Sequence, residues 1–268
     1  MSSSRPQTSE AQTSRSQLVE HLLASRICGD VATPREGNLR NCARCAERDP
    51  HYTFGLEFAG RWDYADVVAL MAERVGISPD LDHRYGQDTI DPELCADALE
   101  RMRDRLARAA RDRQRVLVAT GHPSGILAIH LEIAAALRRA SCELVQAGIG
   151  WSYHASGRLL DLRHVNGVAM VSNGAHLEHT HDPDPMQAML AALRTAGEPM
   201  PDLVVADHGY AGAAAQAGVP TVGFADCNDP ALFVGEAEGK VEVTVGLDDN
   251  VLPHHYPPVS AFLLDGWG

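Results

Sequence analysis

Hydrophobic and polar positions follow two different rhythms along this chain. In the first part, apolar residues recur at helical spacing. Leu18, Leu22 and Leu23 predict a helix from Gln17 to Ser25. Asp63 is placed to cap a second helix, running to about Val75 with Val67, Val68, Leu70 and Met71 on its apolar side. Leu94, Leu99, Met102 and Leu106 predict a third, from Pro92 to about Arg113, with the proline in its first turn and the arginines on a solvated face. Between these, Cys28 to Asn38 reads as a loop of turn formers and Ser78 to Pro92 as an irregular stretch. Beyond Arg115 the rhythm shortens to apolar runs separated by helical segments. Strands are predicted at Val116 to Ala119, Cys142 to Gln146, Asn166 to Val171, Leu203 to Ala206, Thr221 to Ala225 and Val241 to Val245, with a hairpin strand around Gly157 to Leu162. Helices are predicted at Gly125 to Arg139, Pro185 to Thr195 and Tyr210 to Ala217.

Strands alternating with helices of this length predict an α/β fold: a three-layer, doubly wound, mainly parallel, Rossmann-like sheet with an N-terminal helical region. The expected division is a disordered tail over residues 1–16, a helical region over 17–113 and an α/β catalytic domain over 114–268, the last two forming one compact unit.

Ligands of open parallel sheets bind beyond the carboxyl ends of the strands. In this sequence those ends carry unusual chemistry. Thr120-Gly-His-Pro-Ser-Gly125 follows one strand, and Ser172 to His181 follows another, with His176, Glu178, His179 and His181 inside it. Asp207-His208-Gly209 and Asp226-Cys-Asn-Asp229 follow the next two. The first of these loops is similar in kind to a phosphate loop, since two glycines and two hydroxyls lead into a helix N-terminus. It has neither the spacing nor the lysine of a P-loop. His179 and His181 share one face of an extended segment, and Asp207, Asp226 and Asn228 offer hard oxygen donors. Cys42 and Cys45 read as ordinary thiols on a helix, and His254-His255 as surface residues.

Charge narrows the partners. The 23 basic and 36 acidic residues leave a net charge of −13, which repels nucleic acid. A small anion then needs a local positive site or a metal ion. The first 17 residues contain no apolar stretch of the kind a secretory signal needs, and the most apolar segment, Gly125 to Leu137, is interrupted by His130 and Glu132. The expectation is a cytoplasmic protein with six reduced cysteines and no membrane partner, free to form a homo-oligomer. Lys240 is the one lysine among 23 basic residues, which marks it as a candidate phosphate contact.

Six longer segments resemble a bacterial family of phosphatases: GDVATPRE from Gly29, HRYGQDTIDPE from His83, VATGHPSG from Val118, EHTHDPDPM from Glu178, DLVVADHGYAGAAAQAG from Asp202 and GFADCNDPALFVGEAEGK from Gly223. The resemblance covers Leu18 to Leu264, although Ser124 stands where the family usually has threonine. The architecture is also distantly similar to metal-dependent damage-control phosphatases, which use a lysine near the phosphate.

The resemblance and the residues together imply hydrolysis of a small phosphate monoester, such as a sugar, nucleoside or similar metabolite phosphate. The expected cofactor is a divalent cation, Mg2+ or Mn2+, with Fe2+ or Zn2+ admitted by the histidines. Its expected ligands are Asp207, Asp226, Asn228, His179 and His181. Thr120, Gly121, Ser124 and Gly125 are expected to cradle the phosphate, with Lys240 or Arg35 balancing its charge. His122 or His208 would protonate the leaving alkoxide, with Asp207 as their catalytic neighbour. The alternatives are a lyase, cyclase or isomerase on the same scaffold, or a non-enzymatic binder of a small ligand or metal.

Overall fold

The computed structural model describes residues 14–155 and 157–267. The tail expected to be disordered lies mostly outside them. Ser14 caps the first helix, so Arg15 and Ser16 are already helical.

The chain opens with α1 (Arg15–Ala24), β1 (Gly29–Pro34), α2 (Arg35–Ala46), α3 (Pro50–Thr53), α4 (Tyr64–Val75), β2 (Gln87–Ile90) and α5 (Pro92–Arg111). The second part contains β3 (Arg115–Ala119), α6 (Leu127–Arg139), β4 (Glu143–Leu144), β5 (Ser152–Ala155), β6 (Arg158–Val165), β7 (Val168–Ser172) and α7 (Asp184–Ala196). It continues through β8 (Leu203–Asp207), α8 (His208–Gln216), β9 (Thr221–Ala225), α9 (Pro230–Ala237), β10 (Val243–Gly246) and α10 (Pro257–Leu264).

The main sheet runs β10-β9-β8-β3-β7-β6-β5, and β4 also pairs with β3. From β10 to β7 the strands are parallel, and β5 and β6 close one edge as an antiparallel hairpin. Strands β7, β8 and β9 are buried at every position, as strands covered by helices on both faces must be. One face carries α5, α6 and α10; the other carries α7, α8 and α9, with α4 outside α9. This is the three-layer α/β fold the apolar runs predict. No helix among the described residues is long and apolar enough to cross a membrane.

Two expectations for the first part change. The segment expected as a loop over Cys28 to Asn38 is strand β1 followed by the start of α2. The stretch expected to be irregular contains β2, which pairs with β1 as a separate antiparallel ribbon. Gly29 and Pro34 punctuate this ribbon like turn residues, and it takes its ladder from a single partner, so local pattern gives no strand signal. Arg35, at the start of α2, is wholly buried. It reaches Asp88 of β2 at 2.8 Å and the carbonyls of Asp80 and His83 at 3.0 Å each. That knot fixes the ribbon and the following helix over the carboxyl ends of the sheet.

The switch in strand order falls between β3 and β8. From β3 the chain moves outward to β4 and the β5–β7 hairpins, then returns through α7 to β8 on the opposite side. Loops leaving β3 and β8 therefore diverge and open a crevice between them.

Candidate active site

A cleft of about 580 Å³ occupies that crevice. Five consecutive parallel strand ends deliver its polar wall. His122 follows β3, His179 and His181 follow β7, His208 follows β8, Asp226, Asn228 and Asp229 follow β9, and Asp248 and Asp249 follow β10. The roof comes from the N-terminal elements: Thr33 of β1 and Asn41 of α2 both line the cleft. Thr33 Oγ1 donates to Asp226 at 2.7 Å, and the Asn41 amide donates to the Asn228 carbonyl at 2.9 Å.

The best-organised member is His208. It starts α8 with φ of 45°, a positive value uncommon for residues other than glycine. The next residue has to be glycine, because a Cβ on Gly209 would lie 2.2 Å from the His181 carbonyl oxygen. This turn sends Asp207 inward and His208 toward the cleft. The Asp207 carboxylate accepts bonds from Thr120 Oγ1 at 2.5 Å, from the Gly121 N–H at 2.6 Å and from His208 Nδ1 at 2.9 Å. Nδ1 therefore carries the proton that it gives to Asp207, and Nε2 faces Asp229 at 3.2 Å and Asp249 at 3.5 Å. A carboxylate behind Nδ1 is how ligating histidines are held, and Nε2 can ligate a cation once it gives up the proton it shares with Asp229.

The remaining imidazoles crowd around it. His122 stacks on His179 with ring centroids 4.1 Å apart, and His181 stacks on His208 at 4.6 Å. His179 and His181 bring their Nε2 atoms to 3.2 Å of each other. Burial, with neighbouring imidazoles adding to it, lowers the pKa of His179 to about 4 and that of His181 to about 2. Both are neutral near pH 7, the form that ligates cations. Burial also disfavours the charged forms of His208 and His122, but carboxylates outweigh it. Asp229 and Asp207 carry His208 well above the usual imidazole range, and Asp249, 3.1 Å from Nδ1, raises His122. Burial would raise Asp207 too, yet its bond to His208, with help from His130 and Thr120, holds it below the usual carboxylate range. Asp226 moves the other way: burial, then the charges of Asp249, Asp248 and Asp229, push it well up.

These side chains fit divalent cations. Ligand atoms of His181, His208 and Asp229 lie within 4.8 Å of one another, as do those of His122, His179 and His208, and those of Asp226, Asp248 and Asp249. The buried Nδ1 of His181 also lacks a hydrogen-bond partner, and Oδ2 of Asp249 accepts no hydrogen bond. Buried donors are rarely left unpaired without a function.

The structure assigns several expected residues elsewhere. Asp207 makes no part of the cleft wall, and its three hydrogen bonds make it the support of His208. In the loop expected to cradle phosphate, Gly121 N–H is bound to Asp207, His122 N–H to Thr120 Oγ1, and Gly125 N–H to the His122 carbonyl. Gly125 is required for a different reason, since its Cβ would sit 1.7 Å from the Asp249 carbonyl oxygen. Ser124 is exposed outside the cleft. Lys240 precedes β10, at the amino end of the sheet, where it binds the Glu57 carbonyl and pairs with Glu238 at 3.4 Å. Arg35 is enclosed with Asp88 behind the cleft. Asn228 lines the cleft, and its carbonyl accepts from the Asn41 amide. His176 is exposed, and Glu178 pairs with Arg158 and Asn173. Asp229, Asp248 and Asp249 enter the site without having been singled out as ligands. The signal for the last two was present: Asp248-Asp249 directly follow the last parallel strand.

A doubly wound sheet with a histidine- and aspartate-rich cleft at its switch point is thus the class of protein in hand. Residues 13–267 match the family described as Phosphatase, and the chain belongs to that family. A Streptomyces coelicolor protein named Phosphatase SCO2771 is 53% identical over 253 residues, a span covering 94% of this chain and 95% of that protein.

Proposed function

We propose that this protein hydrolyses a small phosphate monoester in the cleft between β3 and β8, with a divalent cation held by His181, His208 and Asp229 beside His179. The observation that carries this reading is His208, fixed by Asp207 through Nδ1 and presented through Nε2 to Asp229 among neutral imidazoles. Family membership supplies the reaction class. A mixed imidazole and carboxylate set suits Mn2+, Fe2+ or Zn2+ better than Mg2+. When bound, such a cation neutralises phosphate oxygens and makes water a stronger acid.

The chain's own residues do the rest. As a ligand, His208 would hold the cation through Nε2 rather than move a proton. His122 lines the cleft with one nitrogen backed by Asp249 and is the group placed to protonate the leaving alkoxide. Thr33 and Asn41 close the roof and orient the Asp226–Asp229 loop. The cleft wall is acidic, so the net charge of the molecule works against a phosphate unless a cation is present.

Phosphate release from p-nitrophenyl phosphate and a panel of sugar and nucleoside phosphates, with chelator or with Mn2+, Zn2+ or Mg2+ added, tests the proposal. Turnover should appear with Mn2+ or Zn2+ and vanish with chelator. Equal turnover in chelator overturns metal dependence. Tight metal binding with no release from any ester favours a sensor.

A further inference from the structure

We infer that the cleft holds a second, separate cation site made only of oxygen ligands: Asp226, Asp248 and Asp249. The three carboxylates come from the loops after β9 and β10, and an oxygen of each lies within 4.8 Å of the others. Proximity of acids alone does not make a site, but Asp249 adds an independent observation. It is 4% exposed and lines the cleft, and its Oδ2 accepts no hydrogen bond, with His208 Nε2 at the long distance of 3.5 Å. Its other oxygen is engaged with His122 at 3.1 Å. A buried carboxylate oxygen that accepts no hydrogen bond carries a desolvation cost that a closer cation removes.

The other two carboxylates are oriented without being used up. Asp226 accepts from Thr33 Oγ1 at 2.7 Å and from the Cys227 N–H at 2.6 Å, while Asp248 accepts from the Asn250 N–H at 2.9 Å. Each oxygen accepting one such bond keeps a second lone pair. The Asn41 side-chain oxygen, buried and also without a partner, lines the same cleft. An all-oxygen set of this kind prefers a hard cation, Mg2+ or Mn2+, whereas the histidine set prefers a softer one. The cleft therefore has two positions of different hardness, with Asp249 between the imidazoles and the acidic group.

Metal titration of the full-length, chelator-treated protein tests this, read by calorimetry and by the EPR signal of free Mn2+. Wild type should take up about two equivalents of Mn2+, the number a paired-cation site requires. Asp248→Asn should keep only the equivalent bound by the histidine set, and His181→Ala only the one bound by the acidic set. With Mg2+ alone, wild type should bind at the acidic set and Asp248→Asn should not bind. If Asp248→Asn fails to fold by circular dichroism, Asp226→Asn is read in its place. A wild type that saturates at one Mn2+, or an Asp248→Asn protein that still binds both, overturns the inference. The hydrolytic proposal fails separately: two bound equivalents without ester turnover support the second site and overturn the activity, and the reverse result does the opposite.

Discussion

At the scale of single residues, the adjacent pair Asp207 and His208 shows how much a backbone angle decides. Both look like site residues in sequence, but the left-handed turn at His208 puts only the imidazole in the cleft. Asp207→Asn should therefore weaken Mn2+ binding by about 10- to 100-fold, the usual effect of losing a partner behind a ligating histidine. The protein should still fold and still bind at saturating metal, as calorimetry with circular dichroism would show. His179→Ala and His181→Ala should each lower turnover at least ~10-fold in the p-nitrophenyl phosphate assay. Lys240 gives the opposite expectation. Its ammonium holds the Glu57 carbonyl and Glu238 at the far end of the sheet. Lys240→Met should leave kcat/KM unchanged and alter unfolding free energy by less than about 1 kcal/mol. A large kinetic loss would return it to the site. Scarcity of lysine signals nothing about place.

At the scale of elements, the second part of the chain was legible because its strands are short, apolar and buried on both faces, a pattern that period and length detect without tertiary information. The ribbon of β1 and β2 was not legible. Its positions alternate between polar and apolar over too few residues, and its existence depends on Arg35 being tied to Asp88 across 53 residues of chain. Arg35→Met should destabilise the protein by about 3–5 kcal/mol, because Asp88 is left charged and buried without its partner. Thermal unfolding would measure this. The same tertiary dependence explains the phosphate-loop reading of Thr120 to Gly125. The glycines are there, but one N–H serves Asp207 and the other glycine admits the backbone of Asp249. The strand-end rule leads to the cleft. Extended to the last strand, it reaches Asp248 and Asp249.

At the scale of the whole molecule, the proposed cation binding would couple the acidic cleft to stability. The carboxylates of Asp226, Asp248 and Asp249 repel one another when unscreened, and a cation bound only by the folded state adds RT ln(1 + [L]/Kd), about 2.7 kcal/mol at a hundredfold excess over Kd. Chelation should lower the melting temperature, and added Mn2+ should restore it in a concentration-dependent way by differential scanning calorimetry. A second global consequence follows from the strand order. The central strand β3 pairs with β8 through Val116 and Leu203, although β4 to β7 are made in between. During synthesis, β3 leaves the ribosome long before its inner neighbour, and the acidic group is complete only after Asp249 has emerged. On the proposed reading, a cation can be held at the acidic group only once Asp249 is in place. On the same reading, the cation first taken up depends on what is available where folding finishes, so protein produced in a medium rich in one metal has to be stripped with chelator before its preference is measured.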